Sequence, residues 1–393
     1  IMYRAFIILI LIVLVSSCTK NADEKIKREI VDVEFQQKYI SSYDSLNIID
    51  STSLVVLQEN PEEDLQIKQI DKICVKNNHI YVADTYLKRL IVFDMNGMAL
   101  YKVGSLGSGP GEYSSIADFY VGDSCLYLYD SLKQKMLLYD KENQYLKDYD
   151  ISFRGEYFVK LSNGNFLFSL APYNNGELKG KRIAITDNEF NVINTMFDFD
   201  EHIDVNYQML SPLVEYGNKI IYYRGISNDV YIFNKIGAFE RVVSWDFGKF
   251  NVPSDELDDM SKLMESSNDY SYIAATPIFI NDVIMTILNK GGELYTCIYD
   301  TKSREPYLNN MINYSVRTIN FPFSVTEDNI VVSYFNNDIY PEYMKDKYIP
   351  DSIKKEIENL FVNFYDCYFT IFNMTQFQKI IFNLIKININ SLI

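Results

Sequence analysis

The chain has only two histidines, His79 and His202, and it lacks the compact signatures that usually carry hydrolytic chemistry. There is no H-E-x-x-H, no G-x-S-x-G and no acidic run of the calcium-loop kind. Basic residues are also short: 37 Lys and Arg stand against 53 Asp and Glu, a formal charge of -16. Binding nucleic-acid phosphates requires clustered cations, so nucleic acid is excluded as a partner. Besides Cys18 there are four cysteines, Cys74, Cys125, Cys297 and Cys367, with no C-x-x-C and no framework spacing. They read as small buried hydrophobes and not as a disulfide or metal scaffold. Alanine, the strongest helix former, is scarce, whereas Tyr (32) and Phe (25) are abundant, as suits cross-strand pairs on pleated sheets.

What the chain does have is a repeat. Shifting residues 70–100 by 46 positions superposes Ile70 on Ile116, Val75 on Val121, Tyr81 on Tyr127, Asp84 on Asp130, Asp94 on Asp140 and Leu100 on Leu146. Residue types match between these identities: Ile80-Tyr-Val-Ala-Asp84 lies over Leu126-Tyr-Leu-Tyr-Asp130, and Arg89-Leu-Ile-Val-Phe-Asp94 over Lys135-Met-Leu-Leu-Tyr-Asp140. A period of ~40–50 residues made of short strands signals propeller blades. The expected fold class is all-β, a six-bladed β-propeller of four-stranded antiparallel blades with short helical insertions. Blades are expected at about 65–103, 113–150, 157–199, 213–247 and 272–309, with a sixth beginning at 317–335. The lone strand near Ser53–Gln58 is expected to close the ring by joining the last blade near 323–334, which removes an exposed sheet edge. Amphipathic helical turns are expected at 253–264, where Leu257, Met260, Leu263 and Met264 share a face, and at 341–360, through Ile353, Ile357 and Leu360. Residues 361–393 form an atypical tail without clear period, and we expect them to be off-frame or read-through sequence.

Residue type and spacing also assign the local chemistry. The run Gly104-Ser-Leu-Gly-Ser-Gly-Pro-Gly-Glu-Tyr113 fails as a phosphate cradle, because no Lys-Ser/Thr follows and the next segment is a strand. It is expected to be the crossing between two blades. Asp84 and Asp130 each end a strand before a turn and are expected to lock that turn by accepting backbone N–H groups; Asp94 and Asp140 repeat the argument at the next hairpin. If strands run from inner to outer, alternate hairpins emerge on one loop face. That puts Tyr86, Lys88, Arg89, Glu112, Tyr113, Arg154, Tyr173, Asn174, His202, Arg224 and Asn228 on one rim, and His79 on the opposite face. Tyr86, Arg89, Tyr113, Arg154 and Arg224 are the candidate partner-binding residues, since Tyr and Arg are enriched at binding hot spots. No catalytic or metal-ligating residue is assigned.

The N-terminus carries an address. Arg4 precedes an apolar run, Ala5 to Val15, too short for a comfortable membrane span but suited to a secretory signal. Ser16-Ser17-Cys18 follows and resembles the lipobox of bacterial lipoproteins, which implies lipidation at Cys18; Thr19 in the next position implies an outer-membrane destination. Residues 1–18 are then the signal, 19–50 a tether and 51–360 the propeller. With Ile80–Asp84, Arg89–Asp94 and Gly107–Tyr113, this N-terminus resembles the bacterial six-bladed propeller lipoproteins related to NHL-repeat proteins, common in Bacteroidota. The resemblance implies an envelope lipoprotein, anchored on the periplasmic or surface side of the outer membrane, whose loop face binds a protein, peptide or glycan. No cofactor is expected. The alternative is a calcium-dependent hydrolase or lyase of the lactonase type.

Overall fold

The computed structural model describes residues 26–33, 49–199, 213–223, 228–253, 269–280, 282–310, 324–326, 328–335 and 381–387, with scattered positions between 256 and 266 and between 345 and 358. Two isolated strands come first, β1 (Arg28–Asp32) and β2 (Ile49–Val56). The first blade is β3 (Lys72–Lys76), β4 (His79–Asp84), β5 (Arg89–Asp94) and β6 (Ala99–Lys102). The glycine-rich crossing forms a small parallel ribbon, β7 (Ser105–Leu106) with β8 (Glu112–Tyr113). The second blade is β9 (Asp118–Val121), β10 (Cys125–Asp130), β11 (Lys135–Asp140) and β12 (Tyr145–Asp150). The third is β13 (Gly155–Lys160), β14 (Phe166–Leu170), β15 (Lys181–Thr186) and β16 (Val192–Asp198). The fourth is β17 (Leu213–Tyr216), β18 (Lys219–Tyr223), β19 (Asp229–Asn234) and β20 (Phe239–Asp246). In the fifth the inner strand is split into β21 (Ser271–Ile273) and β22 (Ile278–Ile280), followed by β23 (Val283–Lys290), β24 (Glu293–Asp300) and β25 (Glu305–Asn310). Last come β26 (Ser324–Val325), β27 (Ile330–Phe335) and β28 (Ile381–Ile387).

The fold is an all-β propeller of antiparallel four-stranded blades. Five blades, not six, are each wound from one contiguous stretch. The remaining sheet has the order β26-β27-β28-β2 and is assembled from three separate parts of the chain. The lone strand β2 does reach the sheet of Ser324–Phe335, but β28 lies between it and β27. A strand from 381–387, in the stretch read from sequence as foreign to the fold, thus occupies the third position of this sheet. The inner strands adjoin in the order β3, β9, β13, β17, β22, β26 and back to β3.

Blade packing explains why the middle strands read as unbroken apolar runs. Each is covered on both faces by a neighbouring blade, so successive side chains enter different cores. Ile80 and Val82 pack toward β2 and Val332, while Tyr81 and Ala83 pack toward Leu126, Leu128 and Tyr139 of the second blade. The core between the second and third blades is aromatic: the Phe153 and Phe168 rings lie 5.1 Å apart, and Phe166 and Phe190 lie 4.6 Å apart. Outer strands are half exposed. In the first four blades a one-residue bulge precedes the outer hairpin, after Val92, Leu138, Ile185 and Ile232. An Asp or Asn then accepts two backbone N–H bonds across the turn: Asp94 from Asn96 and Met98, Asp140 from Glu142 and Gln144, Asp187 from Glu189 and Asn191, Asn234 from Ile236 and Ala238. The left-handed residue of each turn is Gly97, Asn143, Phe190 or Gly237.

The N-terminal segment departs from the expected tether. β1 adds in parallel to β20 as a fifth strand on the outer edge of the fourth blade, with Arg28 beside Val242 and Asp32 beside Asp246. Val31 and Val33 are buried in the core shared with Trp245 and Tyr299. Tyr299 donates its hydroxyl to Glu29 Oε1, and Arg28 Nη1 lies 2.7 Å from Asp229. Helical residues are described at 261, 265 and 266 and at 345, 351, 354, 355 and 358; the apolar helix faces named from the sequence lie outside the described residues.

Candidate functional site

On the loop face a carboxylate in each of the first two blades staples the incoming crossing to the middle hairpin. Asp84 is fully buried; its Oδ2 accepts the N–H groups of Lys68 (2.6 Å) and Gln69 (3.0 Å), and its Oδ1 that of Leu87 (2.7 Å). Asp71 adds bonds from the Thr85 N–H and hydroxyl, both 2.6 Å. In the second blade Asp130 accepts from Ser114 N–H and the Ser115 hydroxyl on the crossing, and from Leu132 and Lys133 N–H in the hairpin. The turn-locking role read from the sequence is therefore observed for both, and a third blade achieves it with an amide. Asn174 Oδ1 accepts the Arg154 N–H (2.8 Å), and its Nδ2 donates to the carbonyls of Arg154 (2.9 Å) and Ala171 (2.8 Å).

These rigid bases present apolar side chains to solvent. Two residues after Asp84 stands Tyr86, 61% exposed, and two after Asp130 stands Leu132, 70% exposed. Tyr173, beside Asn174, is 61% exposed, and Leu106, on the ribbon between the first and second blades, is 52% exposed. Together they form an arc over three successive blades. The Lys68 ammonium sits 3.9 Å from the Tyr86 ring centroid, a cation–π contact that orients the ring. Lys88, in the same hairpin, and Arg154, at the entry to the third blade, are exposed on the same loop face.

Only part of the expected binding set belongs to this arc. Tyr86 and Arg154 are on it. Tyr113 is not: it is fully buried in the core between the first two blades, because β8 turns its side chain inward after the exposed ribbon. Arg89 is engaged elsewhere, its guanidinium paired with Asp64 and donating to the Gln66 carbonyl at 3.4 Å, with 17% of the side chain exposed. Arg224, His202 and Cys18 lie outside the described residues. Leu106 and Leu132 were missed, although Leu132 is the 46-residue equivalent of Tyr86.

The glycine-rich crossing turns inward on itself. Glu112 places its carboxylate on the Gly109 N–H (2.7 Å), Lys133 Nζ donates to the carbonyls of Gly107 (2.6 Å) and Glu112 (3.0 Å), and the Tyr139 hydroxyl donates to the Gly111 carbonyl (2.9 Å). A loop amide that already holds a carboxylate is not offered to a phosphate. His79, on the opposite face, donates Nδ1–H to the Asn77 carbonyl at 2.8 Å. Cys297 is buried, and burial pushes its thiol up to about 12; Cys74 and Cys125 are half-buried and form no disulfide. Among the described residues no group of three or more His, Cys, Asp and Glu side chains converges. No helix among these residues is long and apolar enough to cross a membrane.

The whole chain is similar to known structures. A candidate exported protein of Bacteroides fragilis superposes with a TM-score of 0.67 at 18% identity, over 91% of this chain and 99% of that one. A member of the DUF4221 family from Bacteroides vulgatus gives 0.50 at 7% identity, over 87% and 98%. At such identities the likeness concerns the fold alone. Virginiamycin B lyase from Staphylococcus aureus is also similar, at 12% identity over 66% of this chain and 74% of that one, but its TM-score of 0.37 supports no argument about activity. No curated protein sequence matches the chain. A family profile matches residues 29–364, which takes in all but the first residue of β1 and all five contiguous blades, and by that match the chain belongs to the family described as Domain of unknown function (DUF4934).

Proposed function

We propose that this chain is an exported, lipid-anchored binding propeller, held at the outer membrane through Cys18, that captures an envelope protein or peptide with the arc Tyr86, Leu106, Leu132 and Tyr173. In this reading the composite sheet β26-β27-β28-β2 serves as the sixth blade and closes the ring. The observation that carries the reading is the contrast within each loop: a buried Asp or Asn fixes the backbone, while its neighbour holds a large apolar side chain in water. Exposing such side chains on rigid hairpins costs folding nothing and prepays the ordering entropy of an interface. Lys68, Lys88 and Arg154 around the arc favour a partner with acidic groups at its margin. A glycan is the second ligand class to assay. The exported character agrees with the description of the Bacteroides fragilis protein of similar fold.

The test is capture from a solubilised envelope fraction, with a glycan array alongside, using Tyr86→Ala, Leu132→Ala, Tyr173→Ala and Arg154→Ala, and His79→Ala as the opposite-face control. One or two arc variants should weaken a single defined partner by tenfold or more with unchanged thermal unfolding, since few residues dominate an interface. Loss of capture in the His79 variant with all arc variants retained would refute the assignment.

A further inference from the structure

The seat of β1 places the N-terminal chain on one side of the propeller. Around the channel the fourth blade is three steps from the first in either direction, by the order of the inner strands. Tyr86, Leu106 and Leu132 of the arc lie on the first two blades and Tyr173 on the third, whereas the N-terminal chain is stitched to the outer edge of the fourth. Its register is secured by backbone bonds at both ends, Val242 N–H to the Lys27 carbonyl and Val33 N–H to the Asp246 carbonyl, each 2.9 Å. Nine residues lie between Cys18 and Arg28. Fully extended, these ten steps span at most ~36 Å, so a lipid on Cys18 would hold the start of β1 within that distance of the bilayer.

The edge itself has the chemistry for such a neighbour. Alternation along β1 buries Val31 and Val33 and leaves Ile26 and Ile30 outside, 50% and 51% exposed. On the same blade Ile236 is 54% and Phe250 38% exposed. Lys27, next to Ile26 in the chain, and Lys249, whose ammonium lies 5.1 Å from the Phe250 ring centroid, are exposed, as are Asp32 and Asp246 on the paired strands. Apolar side chains with cations close by suit a surface of acyl chains and headgroups.

We propose that the outer edge of the fourth blade, extended by β1, is a membrane-facing surface that rests on the lipid headgroups and directs the arc of the first and second blades away from the bilayer. The proposal rests on lipidation at Cys18, as the preceding reading does.

The experiment uses full-length protein purified from membranes and reconstituted in phosphatidylethanolamine–phosphatidylglycerol vesicles carrying an energy-transfer acceptor on the headgroups. Donor dyes are placed at Lys249→Cys or Lys88→Cys, with Cys74, Cys125 and Cys367 changed to Ser, and the mass of the mature N-terminus is determined on the same sample. Transfer from position 249 should be about twofold or more above that from position 88, and an added Ile26→Asp/Ile30→Asp pair should remove most of the difference while the lipid stays. With a lipidated N-terminus, equal or greater transfer from position 88, or no response to the Asp pair, overturns the proposed orientation and leaves the anchor standing. An unlipidated N-terminus overturns both. If the Asp pair instead converts a dimer to a monomer by light scattering, the edge is a contact between copies and the proposal falls.

Discussion

Lys72 Nζ of the first blade lies 2.5 Å from Asp118 Oδ1 of the second, beside the central channel. The carboxylate is wholly buried and its Oδ2 accepts the N–H of Phe158 in the third blade at 2.8 Å, so one side chain ties three inner strands together. Burial pushes the Asp118 carboxyl up, and Lys72 opposes that shift. Removing one partner of a buried pair strands the other, so Lys72→Met or Asp118→Ala should each cost about 3–5 kcal/mol in denaturant unfolding. The double change Lys72→Met/Asp118→Ala should cost clearly less than the sum, because neither charge is then left alone. Additive costs would show that the two residues do not act as a pair.

A pH dependence follows from Glu59, half-buried where the chain leaves β2 and hydrogen-bonded by the Ile67 N–H at 2.9 Å. Burial, with Asp84 nearby, raises its carboxyl from 4.5 to about 7. Between those values the folded protein keeps a proton that the unfolded chain gives up, so this group makes stability fall as pH rises from about 4.5 to 7. At ~1.4 kcal/mol per pH unit the upper limit is ~3 kcal/mol, and partial exposure reduces it to about 1–2 kcal/mol. Glu59→Gln should therefore gain on the wild type between pH 5 and 8, while matching it near pH 4. Parallel stability curves across that range would contradict the assignment.

Glycines in left-handed turns differ in what surrounds them. Gly97 has φ +84°, and a Cβ there would run into the Val56 carbonyl oxygen at the end of β2; Gly217 has φ +54° and open space. Both changes to Ala incur the backbone penalty, roughly 1 kcal/mol. Only Gly97→Ala must also push β2 off the first blade, where Gln58 N–H bonds the Gly97 carbonyl at 2.7 Å. Gly97→Ala should destabilise by at least ~2 kcal/mol more than Gly217→Ala in thermal unfolding, and equal effects would mean that β2 yields freely.

The blades were readable because their repeat rests on local rules. The turn aspartates Asp84, Asp94, Asp130 and Asp140 recur at a fixed period, and the middle strands are apolar on both faces because two neighbours cover them. The same rules also extend to Asp187 and Asn234, which the sequence repeat was too diverged to expose. Long-range pairing was not readable. Nothing in Arg28-Glu-Ile-Val-Asp32 says that it will lie parallel to β20, since its partner is some 200 positions away and its charged ends look like tether. β28 was hidden for a similar reason: a strand pairing at both edges needs only apolar residues, and the tail's Ile- and Phe-rich composition fits many registers. The binding arc was half legible. Alternation put Tyr86 and Arg154 on the loop face, where both are exposed, but only burial separates Tyr86 from Tyr113.

That distinction gives the last prediction. The Tyr113 hydroxyl is buried without a hydrogen-bond partner among the described residues, and burial raises its proton affinity well above the usual phenol range. An unpaired buried hydroxyl costs ~1–3 kcal/mol of desolvation, whereas its ring packs fully between the first and second blades. Tyr113→Phe keeps the ring and removes the cost, so it should leave stability unchanged or raise it by about 1 kcal/mol. Tyr139→Phe is the matched comparison: its hydroxyl donates to the Gly111 carbonyl at 2.9 Å, and its loss should cost about 1 kcal/mol and loosen the glycine-rich crossing. Tyr113→Phe leaves the exposed surface of the arc unaltered. If Tyr113→Phe weakened capture of a partner while leaving the unfolding midpoint where it was, Tyr113 would belong to the interface after all, and the crossing would have to open to expose it.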